Sequence, residues 1–169
     1  MTTSDNKRAA KLLLRIGNPY HFLATGFGSG FSPWMPGTVG SAAAIPAWYL
    51  LSFLPYHLYF MSIILSTFIG VYLCHQTTKD IGLYDHSSIV WDEFVGTWIT
   101  LITIQDKRWQ CVLAGFLIFR FLDIFKPWPI RWLDTNVHGG IGIMIDDILA
   151  GVISANIIYW IWHHRPLFS

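Results

Sequence analysis

Between residues 39 and 162 apolar stretches follow one another with little pause, at roughly 39–54, 56–74, 89–105, 109–125 and 143–162. Hydrocarbon satisfies no backbone N–H or C=O, so repeated runs of this length constrain the chain to helices. The pattern predicts an all-α polytopic membrane bundle of four to five hydrophobic segments, within a single domain covering residues 1–169. The first segment holds Pro46 and is followed by Pro55, which leaves it either kinked or re-entrant rather than a full span. The third and fourth are nearer 17 residues than 20 and predict little tilt or local thinning of the bilayer. Composition points the same way: 12% of residues are charged, and nine Trp, seven Tyr and twelve Phe supply rings that anchor at a membrane–water interface. A net charge of +1 gives no basic field for nucleic acid. Cys74 and Cys111 match no metal or redox spacing and sit in apolar surroundings that suit plain packing.

The first 24 residues mix Lys7, Arg8, Lys11 and Arg15 with Leu12, Leu13, Leu14 and Ile16. This apolar run is too short for a secretory signal, and the pattern predicts an amphipathic helix lying in the headgroup region. If all five segments cross and the N-terminus is cytoplasmic, Lys7, Arg8, Lys11, Arg15, Lys79, Lys126 and Arg131 face the cytoplasm. Lys107, Arg108 and Arg165 fall on the other side, and seven against three follows the positive-inside bias.

Five of the ten acidic residues lie in or at the edge of these segments: Asp92 and Glu93, Asp123, and the adjacent pair Asp146 and Asp147. In the same topology all five meet at the cytoplasmic ends of their helices. An ionised carboxylate at a helix centre costs about 2.5–3.5 kcal/mol on insertion scales, less near the interface. Arg120, Lys126 and Arg131 are too few to neutralise five acids and still leave charge for a ligand. A divalent cation balances several at once, and Mg²⁺ takes carboxylate oxygens while drawing further ligands from phosphate. Arg120, Asp123 and Lys126 recur every three residues and share a helix face. Asp147 precedes Gly151 and Ala155 at four-residue steps, a small stripe that permits close helix approach. Adjacent acids on a helix point about 100° apart, so Asp147 is expected to be the better ligand of the pair. Taken singly, any of these acids also fits a structural ion pair.

Thr25 to Ser41 is rich in Gly and Pro and reads as a loop ahead of the first segment. It could offer backbone N–H groups and the hydroxyls of Thr38 or Ser41 to a phosphate, although composition alone favours an irregular surface connection. Asp85 and His86 precede Asp92; His86 could act on a phosphate ester as a general acid or be a solvated loop histidine.

The stretches "GFGSGFSPWMPGTVGS", "DHSSIVWDEFVG", "FRFLDIFKPWPIRWLD" and "NVHGGIGIMIDDILAGV", in this order, resemble the phosphatidylglycerophosphatase A family of the bacterial inner membrane over about residues 18–165. That resemblance implies a Mg²⁺-dependent lipid phosphatase with a cytoplasm-facing site, converting phosphatidylglycerophosphate to phosphatidylglycerol and inorganic phosphate. The expected site places Asp92, Glu93, Asp123, Asp146 and Asp147 around one or two metal ions. Lys126, with Arg120 or Arg131, meets the phosphate charge, assisted by Thr38 and His86. The Ser-Gly-His, Asp-x-Asp and Asp-x-x-Asp-Gly signatures of other phosphotransfer classes do not occur in the chain. The rival class is a small cation or proton carrier, which also uses intramembrane carboxylates but places them at the midplane.

Overall fold

The computed structural model describes residues 11–84, 86–104 and 107–164, and every regular element within them is helical. Lys7, Arg8, Asp85 and Arg165 lie outside the described residues. The elements are α1 (Pro19–Ala24), a 3₁₀ turn (Ser29–Phe31), α2 (Pro36–Leu51), α3 (Tyr56–Ile81), α4 (Trp91–Leu101), α5 (Trp109–Phe125), α6 (Ile130–Asn136) and α7 (Gly139–His164).

The basic segment is not one continuous helix. Residues 11–13 are helical, the chain then breaks, and α1 restarts at Pro19 with the Asn18 side chain accepting from the Tyr20 N–H at 2.9 Å. Gly17 and Pro19 account for the break, since one loosens the backbone and the other cannot donate into a preceding turn. Lys11 donates to the Phe31 carbonyl at 3.0 Å and Leu14 is buried, so this segment is fastened to the bundle.

The Gly/Pro-rich stretch is shorter as a loop than expected. Helix α2 begins at Pro36, where a fixed φ suits the first helical position, so residues 36–41 are helical. Pro46 lies inside this helix without ending it.

Among the described residues two helices, α3 and α7, are long and apolar enough to cross a membrane. Each has 26 residues, or about 39 Å of rise. Helix α3 turns Met61, Leu65 and Phe68 outward. The third hydrophobic run differs most from expectation. It yields only the eleven residues of α4, about 16 Å, roughly half the hydrocarbon thickness. Nearly every residue of α4 is buried, so this run is apolar because it forms the protein's own core.

The bundle is assembled around α4. Trp98 donates to the Ala44 carbonyl at 3.0 Å, Trp91 to the Ser66 carbonyl at 3.1 Å, and Tyr59 to the Trp98 carbonyl at 2.7 Å, tying α4 to α2 and α3. Its most extensive contact is with α7. There a Cβ on Gly151 would sit 2.6 Å from the Gly96 carbonyl oxygen, and one on Gly96 would sit 2.9 Å from that of Asp147. Only glycine lets the two backbones approach this closely.

Candidate active site

Because successive long helices alternate in direction, one end of the bundle collects the start of α2, the turn after α3, the starts of α4 and α7, and the end of α5. A cavity of about 360 Å³ opens there. Asp92 and Glu93 enter from the first turn of α4, where the helix dipole favours negative charge. Asp123 comes from the last turn of α5, and Asp146 and Asp147 from the third turn of α7. Six carboxylates line the cavity, these five and Asp134 of α6, against two cations, Arg120 and Lys126.

The two cations are fixed in place. Arg120 pairs with Asp123 at 2.5 Å, reaches Glu93 at 4.0 Å and donates to Ser41 Oγ at 3.2 Å. Ser41 in turn donates to the Gly37 carbonyl, so it serves to hold the guanidinium. A side chain at Gly37 would collide with Glu93 Oε1, and the first turn of α2 is thereby pressed against the acids. Lys126 stands just beyond α5 with φ of 42°, a left-handed conformation that ends the helix and swings the ammonium towards α6 and α7. It donates to Asp134 at 2.7 Å and also to Asp146. Burial alone would lower its pKa, but these two carboxylates outweigh it and hold the proton well above the usual lysine range.

The carboxylates form two overlapping groups. Asp92, Glu93 and Asp147 each offer an oxygen within 4.8 Å of the others, and so do Asp123, Asp146 and Asp147. Asp147 belongs to both. Adjacent residues point apart on a helix, yet here both face the cavity, Asp146 towards Lys126 and Asp147 towards α4 and α5. Glu93 Oε2 and Asp146 Oδ1 are buried and accept no hydrogen bond from protein groups. Hard, oxygen-only donors with buried unpaired oxygens and an excess of negative charge fit an Mg²⁺-type cation.

Beside Glu93, α2 presents its N-terminus to the cavity. Met35 provides no side-chain cap, Pro36 has no N–H, and the N–H groups of Gly37 and Thr38 begin the helix beside the cavity. Thr38 Oγ1 is also buried without a partner. Carboxylates, two cations and a helix N-terminus are groups whose chemistry suits a phosphate accompanied by a metal.

Two expected residues stand apart. His86 is buried, with Nδ1 accepting from the Ser88 N–H at 3.1 Å, and is not among the residues that line the cavity; it orders the turn into α4. Arg131 is exposed on α6 and also lies off the cavity wall. Conversely, Asp134, Tyr84 and Gly37 line the site without having been singled out. Of these, Asp134 had a legible signal: a lysine at a helix end followed by Pro127, Pro129 and then an acid, a turn that brings the two charges together.

The model of a family described as phosphatidylglycerophosphatase A matches residues 22–162, which contain every one of these side chains. The chain belongs to the phosphatidylglycerophosphatase A family. It is 64% identical to phosphatidylglycerophosphatase A of Escherichia coli (strain K12), over 96% of this chain and 94% of that protein. It is 48% identical to the Haemophilus influenzae protein of the same name, over 94% and 96% respectively. A Bacteroides thetaiotaomicron relative, provisionally named a phosphatidylinositol-3-phosphatase, is 42% identical over 78% of this chain and 86% of its own length. No solved structure matches.

Proposed function

We propose that this family member hydrolyses the terminal phosphomonoester of phosphatidylglycerophosphate, releasing phosphatidylglycerol and inorganic phosphate, with Mg²⁺ as cofactor. The observation that carries the reading is Asp147 at the junction of two three-carboxylate groups, in a cavity also lined by an uncapped helix N-terminus and two fixed cations. Asp92, Glu93 and Asp147 would hold one ion, and Asp123, Asp146 and Asp147 a second. When bound, Mg²⁺ supplies Lewis-acid stabilisation of the phosphoryl charge. Arg120 and Lys126 counter the remaining charge, and the Gly37 and Thr38 N–H groups with the Thr38 hydroxyl orient the phosphate. A carboxylate of the cluster takes the proton of the attacking water, and that proton passes on to the leaving alkoxide of the lipid as the ester bond breaks, which returns the carboxylate to its starting form.

The protein sits in the bacterial inner membrane, with α3 and α7 as its spans and α2 and α5 completing the bundle, and its acidic end faces the cytoplasm. A cation or proton carrier is the poorer fit, since the acids gather at one end of the bundle and pair with cations.

The test is phosphate release by detergent-purified protein from phosphatidylglycerophosphate, phosphatidic acid and phosphatidylinositol 3-phosphate, with Mg²⁺ or with EDTA. Turnover of the first lipid above the other two, abolished by EDTA and restored by Mg²⁺, is expected. No phosphate from phosphatidylglycerophosphate, or turnover indifferent to EDTA, overturns the proposal.

A further inference from the structure

We infer that the groove between α2 and α5 receives one acyl chain of the lipid whose phosphate occupies the acidic cavity. This rests on the lipid-phosphatase reading above.

The groove has a volume of about 620 Å³ and is walled almost wholly by apolar side chains. It begins one helical turn from the cavity wall on both helices. Thr38 and Arg120 line the cavity, and one helical turn further along each helix lie Ala42 and Phe116, which line the groove. The Arg120–Ser41 hydrogen bond marks the junction. From there the groove follows α2 to Tyr49 over about 10 Å of helix rise. Its far end is closed by Lys107, whose ammonium lies 3.7 Å from the centre of the Phe53 ring. The groove exists because α2 presents Ala42 and Pro46 there, and because α2 and α5 touch only sparsely.

A second apolar groove, between α3 and α7, approaches the acids on its α7 wall alone, where Ile148 follows Asp147. Trp91 donates to the Ser66 carbonyl, and Trp91 and Met144 fill the space over Gly70, where a Cβ would lie 2.6 Å from the indole and 2.8 Å from the Met144 sulfur. This buried layer stands between the α3 wall of that groove and the acidic end. Nearness to the phosphate site along both of its walls selects the α2–α5 groove.

Bilayer interior is as apolar as the groove, so seating a chain there gains little affinity. Its effect is orientation: the chain fixes the direction from which the headgroup enters, between Met35 and Ile124 at the cavity mouth.

The inference is tested by filling the groove. In Ala42→Trp and Leu113→Trp, kcat/KM on diacyl phosphatidylglycerophosphate should fall about tenfold, while the deacylated headgroup phosphate is turned over within about twofold of wild type. Val152→Trp, in the α3–α7 groove, should alter neither. Equal losses on both substrates, or no loss on the diacyl lipid, overturn the inference. Because a tryptophan could disturb folding, wild-type protein is also cross-linked with a phosphatidylglycerophosphate analogue carrying a photoreactive diazirine in one acyl chain. Adducts on α2 and α5 groove residues, competed by unlabelled substrate, are expected. Adducts concentrated on α3 and α7, or uncompeted, overturn it. A wild-type enzyme that releases no phosphate from either substrate defeats the hydrolase reading instead, and the cross-link pattern still decides the groove.

Discussion

At the residue scale, one aspartate outranks its neighbours. Asp147 serves both carboxylate groups, so Asp147→Asn should cost kcat more than the roughly 10–100-fold that removal of an outer-shell partner typically costs a metal site. Arg131→Ala and His86→Ala should keep kcat within a fewfold, because neither side chain lines the cavity, although His86→Ala should lose thermal stability through its buried contact with Ser88. Phosphate release and a melting scan on the purified variants check both. Lys126 gives a pH prediction. Its folded pKa is raised, so its ammonium, and the stability it contributes, persist below the unfolded value of about 10.4 and fade only as pH climbs through the higher folded value. Lysine deprotonation should therefore produce no alkaline loss of activity up to about pH 10 in wild type. Asp134→Asn removes one of the groups that raise the pKa, and the alkaline limb of its pH–rate profile should move to lower pH. Five acids were legible in the sequence because charge inside apolar runs stands out. Asp134 stands out less, because it follows a hydrophobic segment and its only signal is the proline-bearing turn that folds it back on Lys126.

At the element scale, hydropathy located the helices well and misjudged what surrounds them. Helices α3 and α5 lie close to their hydrophobic runs. By sequence alone α4 resembles a membrane crossing, because core and lipid both select apolar side chains, and periodicity over eleven residues does not separate them. The first turn of α2 resembles a loop in composition because glycine and proline dominate it, yet proline at the first helical position starts a helix and Gly37 is required by the approach of Glu93. The stripe Asp147, Gly151, Ala155 was readable from spacing alone, and its partner on α4 is Gly96. Two substitutions separate packing from chemistry. Gly151→Leu places a side chain against the Gly96 carbonyl and should destabilise the protein by about 1–3 kcal/mol, seen as a lower melting temperature. Gly37→Ala pushes Glu93 and Arg120 and should lower kcat more than it lowers stability, since only the mouth of the bundle must adjust.

At the scale of the whole molecule, the acidic end places stability and activity in opposition. Six carboxylates around two cations repel one another when no divalent ion is present, and burial beside apolar helices weakens screening by salt. A cation that binds only the folded form stabilises it by RT ln(1 + [L]/Kd), about 2.7 kcal/mol at a hundredfold excess over Kd. Added Mg²⁺ should thus raise the melting temperature of the detergent-solubilised protein, saturating over the same concentration range as activity. Asp147→Asn should reverse both trends. In EDTA it should melt higher than wild type, because the amide removes a charge from both groups at once, and Mg²⁺ should shift it little. Arg131→Ala should retain the full Mg²⁺-dependent shift, since Arg131 lies off the cavity wall. A wild-type protein whose melting temperature ignores Mg²⁺, or an Asp147→Asn variant that still responds fully, would show that these carboxylates are balanced within the protein and that the metal, if needed, binds elsewhere.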